Sequence, residues 1–270
     1  MSNSVFFAWQ LDTPSEQNKS FIWNAVLEAT ARSAIDALPE LSPRPESDAQ
    51  GISGSPNIIQ TIFRRISECS VFICDLSFVA TTTSGKKIPN PNVLIELGFA
   101  AKAIGWERTI LVLNNAFGES KELPFDILQH RWPIEYRITE KTKVGDKRFE
   151  KLTDAVSEAI ADCQGYSLSR AIEMAKCLDT ATLDWIAQNE KSQFIEMPLP
   201  AKTMGQLLAG LDHTLAARRL LEMGALRVTD RPYIGYAWTY DGRRMIDEVN
   251  KAHRNLFEVL RQHKIEAKTV

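Results

Sequence analysis

Val71-Phe72-Ile73-Cys74 is apolar at every position and ends in Asp75. A strand with one face in water alternates apolar and polar residues. An unbroken apolar run instead implies helices on both faces, as for a central strand of a parallel sheet. Val5–Trp9 and Thr109–Leu113 have the same character, and Ile134–Ile138 is a further strand candidate. Segments of helical spacing lie between them. Phe21, Ile22, Ala25, Val26 and Ala29 repeat at helical intervals within a helix read from Ser15 to Leu38 and stopped by Pro39. Ile58, Ile59, Ile62, Phe63 and Ile66 do so within Asn57–Cys69, and Pro91–Ile104 and Phe149–Cys163 read as two more helices. A Pro/Ser/Gly-rich loop spans 42–56, and the polar stretch Thr81–Ile88 reads as a loop that serves as a mobile lid or a floppy insertion. The alternation predicts an α/β fold with a doubly wound parallel sheet. Ligands in such sheets sit beyond the carboxyl ends of the strands, here Trp9–Asp12, Asp75–Ser77 and Asn114–Phe117.

The pattern becomes helix-rich after residue 165, which predicts two domains, 1–165 and 166–270. Helices are expected at Ala171–Asn189, Met204–Ala209 and Asp212–Met223, the last with Asp212 as N-cap and Gly224 just past its end. Strands follow at Ala225–Val228 and Tyr236–Thr239, then one long helix from Asp241 to about His263. That order is a winged helix-turn-helix. Such modules reach nucleic acid through a recognition helix and a wing, which makes His213, Arg218, Arg219 and Arg231 the candidate contacts. Charge gives this limited support. The chain has 32 basic and 34 acidic residues, and 170–270 hold 15 basic against 13 acidic. The electrostatic footprint for phosphate is thin, so a partner protein or dimerisation through the same module stays open. The chain is expected to be homo-oligomeric.

Several classes are excluded. The four cysteines, Cys69, Cys74, Cys163 and Cys177, have no CxxC spacing and no histidine at ligand spacing, so no metal site is expected and they read as buried reduced thiols of a cytoplasmic protein. No stretch approaches the roughly 18 apolar residues of a membrane span, and the N-terminus lacks a basic, signal-like start. Gly85-Lys86-Lys87 is not a P-loop and Gly51–Pro56 is not a dinucleotide fingerprint.

The stretch Asp75–Ala100 holds the strongest chemical signal. It places an Asp at a strand end and a Glu early in the following helix, both expected to face the ligand crevice. Asn90 and Asn92 flank the helix start, where backbone donors favour an anionic or polyhydroxylated ligand. Glu96 stands in an otherwise apolar helix, where a carboxylate is costly unless it is used. Gly98 leaves room for a ligand or a neighbouring helix. Glu96 also reads as an ordinary surface or cap-paired glutamate, and Asp75 as an Asx cap of its loop. Ser53, Gly54 and Ser55 are placed to cradle a phosphate or to form a plain helix-capping loop. Trp9 is placed to stack on a base or to pack in the core.

Asn90-Pro91-Asn92-Val93-Leu94-Ile95-Glu96-Leu97-Gly98-Phe99-Ala100 resembles the N-P-N-V-x-x-E-L-G-x-A signature of nucleoside 2-deoxyribosyltransferase-like and TIR-like proteins of prokaryotic anti-phage systems. Gly54-Ser55-Pro56-Asn57-Ile58, the strand ending in Asp75, and Leu111-Val112-Leu113-Asn114 follow the order of that superfamily, and the resemblance covers about residues 5–160. It implies a flavodoxin-like sheet and cleavage of an N-glycosidic bond, with Glu96 matching the catalytic glutamate. The chemistry fits independently, because a carboxylate stabilises or attacks the oxocarbenium-like state of a ribosyl–base bond. A pyridinium leaving group needs no acid, so one carboxylate suffices for NAD, which is the expected substrate rather than a cofactor. A neutral purine or pyrimidine needs protonation, for which Asp75 is the candidate acid. That second route is a nucleoside or deoxynucleotide glycosidase or deoxyribosyltransferase, and a non-catalytic nucleotide sensor is the remaining alternative. The C-terminal module would keep the activity off until a partner arrives.

Overall fold

Five strands of the first unit pair in the order β2-β1-β3-β6-β7, every neighbour parallel. Along this unit run β1 (Ser4–Ala8), α1 (Lys19–Asp36), β2 (Arg44–Ser47), α2 (Ile58–Glu68), β3 (Val71–Asp75), β4 (Phe78–Thr81), β5 (Lys87–Pro89), α3 (Pro91–Ala103), β6 (Thr109–Asn114), α4 (Phe125–Leu128), β7 (Ile134–Tyr136) and α5 (Lys147–Lys176). The computed structural model describes residues 4–36, 44–47, 58–141, 146–197, 204–229, 234–253 and 256–269, and the chain divides into units Met1–Tyr166 and Ser167–Val270.

Strand period two explains the layers. Val5, Phe7, Val71, Ile73, Ile110 and Val112 point into one core with Phe21, Ile22 and Val26 of α1 and Leu152, Val156 and Ile160 of α5. Their neighbours Phe6, Ala8, Phe72, Cys74, Leu111 and Leu113 point the other way, onto Ile66 of α2 and Val93, Leu97 and Ala100 of α3. Both faces are covered, as the unbroken apolar runs require. The sheet order reverses direction between β1 and β3, and this topological switch point opens at their carboxyl ends.

Three expectations for this unit are corrected. Part of the 42–56 loop is strand β2, paired with β1 so that Val5 faces Pro45. It is an edge strand, where a proline's missing N–H is tolerated. The polar stretch after β3 is a β4–β5 hairpin, closed by Thr82 N–H to Lys86 O (2.8 Å) and Gly85 N–H to Thr82 O (2.9 Å). The helix read as Phe149–Cys163 runs on to Lys176, so Ala171 does not begin a helix. Gly165 costs about 1 kcal/mol inside it, which the buried stripe of Leu152, Val156, Ile160, Cys163, Ala171 and Met174 outweighs.

The second unit continues with α6 (Thr180–Asn189), β8 (Ile195–Glu196), α7 (Met204–Glu222), β9 (Leu226–Thr229), β10 (Gly235–Trp238), α8 (Tyr240–Ala252) and α9 (Leu256–Thr269). β8, β10 and β9 form an antiparallel sheet over a core of Trp185, Ile186, Ala217, Leu220, Trp238, Met245 and Phe257. The expected helix pair Met204–Ala209 and Asp212–Met223 is one continuous helix, so Asp212 lies inside it rather than capping it. Strong helix formers on both sides of Gly210 carry the helix across. Among the described residues, therefore, no helix-turn-helix stands between β8 and β9. The single closing helix is instead α8 and α9, with His253 as the C-cap of α8. Among the described residues no helix is long and apolar enough to cross a membrane. Cys69, Cys74 and Cys163 are buried, but Cys177 is exposed, contrary to the reading of four buried thiols.

Candidate functional site

The chain leaves β1 through Trp9-Gln10-Leu11-Asp12-Thr13 and leaves β3 through Asp75-Leu76-Ser77, on either side of the switch point. Gln10 is buried and organises the first loop. Its Oε1 accepts from the N–H groups of Asp12 (2.6 Å) and Thr13 (3.0 Å), while its Nε2 donates to Thr13 Oγ1 (2.6 Å) and Asp75 Oδ2 (3.2 Å). Asp12 stays exposed and accepts from Asn90 Nδ2 at 2.6 Å. Asn90 is the N-cap of α3. Its Oδ1 accepts from Asn92 N–H (2.8 Å) and Val93 N–H (3.2 Å), and Pro91 opens the first turn, where a missing N–H costs nothing.

Asp75 is fully buried. Following strand alternation it turns into the α1/α5 layer, where Asn18 Nδ2 donates to it at 3.1 Å, Gln10 at 3.2 Å and Ser77 N–H at 2.9 Å. Burial raises its carboxyl above the usual carboxylate range, and the donors of Ser77, Asn18 and Gln10 pull it back only in part. Asn114, at the end of β6, completes this network. Its Nδ2 donates to Asn18 Oδ1 (3.2 Å), Gln17 O (3.2 Å) and Ile138 O (2.9 Å), and its N–H donates to Ser77 Oγ (2.9 Å). Tyr136 donates its hydroxyl to Gln17 O at 2.9 Å, and burial followed by the charge of Asp75 pushes its phenol far upward.

Glu96 is half-buried in the second turn of α3. Val93, Leu97 and Ala100 form that helix's buried stripe, and Glu96 lies on its flank, one turn from Asn92 on the same side. Ile95, 60% exposed, faces away. The buried Cys74 thiol is pushed up by burial, then by the charge of Asp75, then by that of Glu96, which puts Glu96 electrostatically within reach of the end of β3. The two acids do not face one crevice, however. Asp75 points to the α1 layer and Glu96 belongs to the α3 layer, on opposite sides of the strand end. This corrects the expected convergence, and its cause is the alternation of β3 itself.

Gly98 is exposed, and nothing lies within 4 Å of where a Cβ would stand, so no neighbouring helix approaches it. Asn92 is exposed beside it. Trp9 is half-buried, with Lys19 Nζ 3.1 Å from its ring centroid, so one face of the indole is already covered. Ser53, Gly54 and Ser55 lie outside the described residues. The hairpin expected to be a lid is tied down. Lys87 Nζ meets Glu122 at 2.9 Å, and a Cβ on Gly118 (φ +155°) would come within 2.6 Å of Phe78 and 2.7 Å of Lys87.

In the second unit His213 is half-buried against Trp185, ring centroids 5.2 Å apart, and burial lowers its basicity. Arg218 pairs with Glu222 at 2.9 Å, Arg219 pairs with Asp179, and Arg231 lies outside the described residues. Sequence reasoning missed Gln10, Asn18, Ser77, Asn114 and Tyr136. Their only signal is position at the ends of β1, β3, β6 and β7.

No protein-family model matches the chain, and no curated protein matches it. Among solved structures, a 2-desoxiribosyltransferase from Leishmania mexicana is similar at 17% identity over 56% of this chain and 97% of its own, with a TM-score of 0.32. A likeness at that score carries no argument about activity.

Proposed function

We propose that the first unit binds a nucleoside or nucleotide at the β1/β3 switch point and cleaves its N-glycosidic bond, with Glu96 as the carboxylate acting on C1′. The observation that carries this reading is the placement of Glu96: half-buried, in the second turn of the helix that begins at the switch point, its charge felt by Cys74 at the end of β3. A fixed anion there stabilises the oxocarbenium-like state or forms a bond to C1′. The C1′–N bond breaks with its electron pair leaving on the base nitrogen. Water then adds to C1′, and its proton passes to Glu96 or to solvent.

The enclosure of Asp75 favours a leaving group that departs without protonation. An acid turned into the α1 layer and surrounded by Gln10, Asn18 and Ser77 is poorly placed to protonate a base. A pyridinium nucleotide such as NAD meets that condition, because its ring nitrogen becomes neutral as the bond breaks. A purine or pyrimidine 2′-deoxynucleoside does not meet it. The test is incubation of the full chain with NAD, NADP, ribonucleosides and 2′-deoxynucleosides, followed by mass spectrometry of released bases. Base release from NAD, lost on the order of 10²–10³-fold in Glu96→Gln, is the expected result. Full activity in Glu96→Gln overturns the assignment. Consumption of deoxynucleosides with NAD untouched overturns the pyridinium preference and favours a deoxyribosyl hydrolase or transferase.

A further inference from the structure

Asn90 uses the two ends of its amide in opposite directions. Its Oδ1 accepts from the first N–H groups of α3, and its Nδ2 donates to Asp12 on the loop after β1. The start of the helix cannot move without breaking one set or the other. The bond to Asp12 is short, 2.6 Å, and its acceptor is a carboxylate placed where the positive end of the α3 dipole favours an anion. Asp12 is in turn fixed through its own backbone, since Gln10 accepts from the N–H groups of Asp12 and Thr13 and donates to Asp75. A continuous hydrogen-bonded chain thus runs from the end of β3, through Gln10 and Asp12, to the cap of the helix that carries Glu96. Glu96 lies six residues beyond Asn90, a rise of about 9 Å along the helix, so a small tilt at the cap is carried to its carboxylate.

We propose that Asp12 is a positioning residue for cleavage. Through Asn90 it fixes the first turn of α3 and with it the place of Glu96 at the switch point. This rests on the function proposed above, and it assigns to an exposed loop residue a role that neither its charge nor its neighbours in sequence announce. Asp12 acts through Asn90 and touches no reacting atom.

The design of the pair supplies its own test. Asp12→Ala removes the acceptor. Asn90→Asp keeps a capping oxygen but sets two carboxylates against each other. The double variant Asp12→Asn/Asn90→Asp restores the bond with donor and acceptor exchanged, because the amide at 12 then donates to the carboxylate at 90. All three changes are near the surface, where substitution leaves the fold largely intact. Two readouts are taken on the full chain: kcat and KM for base release from NAD, and amide exchange at Asn92–Leu97 in the free protein. Each single variant is expected to lower kcat on the order of 10–100-fold, with KM held within roughly twofold. Amide exchange across the first turn of α3 should accelerate on the order of fivefold or more. The double variant should recover both readouts.

A double variant no better than the singles, or Asp12→Ala with normal kcat and normal exchange, overturns the positioning role. If Glu96→Gln is inactive at the same time, the proposed function stands without it. If Glu96→Gln is fully active, the proposed function falls, and unchanged exchange in Asp12→Ala then removes the positioning role as well.

Discussion

Asn18 donates from Nδ2 to both carboxylate oxygens of Asp75, at 3.1 and 3.4 Å, while its own Oδ1 accepts from Asn114 Nδ2 at 3.2 Å. One amide therefore links the carboxyl ends of β3 and β6 from the start of α1. All three side chains are fully buried. Such a network holds its shape only while every member is satisfied, because an orphaned polar group at this depth costs the full desolvation penalty.

The network makes Asp75 a structural acceptor. In Asp75→Asn one oxygen becomes an NH₂ group that meets the donors of Asn18, Gln10 and Ser77. A loss on the order of 2–4 kcal/mol in stability is expected, measured by chemical denaturation at neutral pH. The pH dependence gives a second check. The folded-state carboxyl is raised above its ordinary 3.8, so the folded protein holds that proton more tightly than the unfolded chain does. The associated stability is complete below about 3.8 and is lost as pH rises through the folded value. The margin of wild type over Asp75→Asn should thus be largest in acid and shrink toward neutrality. A margin that grows with pH would show that Asp75 titrates in the opposite sense.

How much of this was legible in the sequence follows from which interactions are local. The apolar runs of β1, β3 and β6 and the Asn90-Pro91 helix start announce themselves, because unbroken hydrophobicity and proline placement need no distant partner. The order of the sheet's interior elements follows from them. Three features needed information the sequence does not carry locally. β2 is a strand only because β1 offers it an edge. Gly165 and Gly210 look like breaks, yet stripes of buried residues in α5 and helix formers in α7 carry both helices through. At the site, Glu96 could be singled out by its apolar neighbours. The enclosure of Asp75 could not, because its partners come from positions 10, 18 and 77, and Asn114 joins them through Asn18 and Ser77.

Tyr136 extends the network to β7. Its hydroxyl donates to Gln17 O at 2.9 Å, and the same carbonyl also accepts from Asn114. In Tyr136→Phe that carbonyl keeps one donor, so the loss should fall near 1 kcal/mol. The phenol is raised far above its ordinary value of 10.0, first by burial and then by Asp75. A folded acid with a raised value loses stability as pH climbs past the unfolded value. Wild type should therefore lose stability steeply above about pH 10, and Tyr136→Phe should lose less over the same interval. Parallel alkaline transitions in the two proteins would show that another group governs them.

Gly118 sits where the hairpin meets the chain between β6 and α4. Its φ of +155° and the 2.6 Å approach of a hypothetical Cβ to the buried Phe78 ring leave no space for a methyl group there. Lys87 can swing aside, but the ring cannot. Gly118→Ala is expected to cost on the order of 1–3 kcal/mol and to loosen the Lys87–Glu122 pair that anchors the hairpin. Limited proteolysis should then cut within the Thr82–Lys86 turn sooner than in wild type. Equal cutting rates would show that the hairpin is held by β4–β5 pairing alone.

Arg218 and Arg219 decide what the second unit can do with a polyanion. Affinity for nucleic acid comes from cations that displace condensed counterions, and a cation already paired with a carboxylate must first give up that partner. Arg218 is paired with Glu222 and Arg219 with Asp179, while His213 packs against Trp185 with lowered basicity. Exposed pairs of this kind are worth only about 0–1 kcal/mol each, so phosphate could compete for them, but with little surplus. Duplex binding by the full chain is expected to be no tighter than the non-specific range, roughly 10⁻⁴–10⁻⁶ M at physiological salt. The double change Arg218→Ala/Arg219→Ala should alter the affinity by about twofold or less and reduce the slope of log K against log salt by less than about one. A salt titration against duplex, single-stranded and hybrid nucleic acid measures both quantities. A slope that falls by two in the double variant would mean that both arginines release their carboxylates to the phosphates. The second unit would then be a nucleic-acid tether through α7, and its near-neutral charge would no longer count against that role.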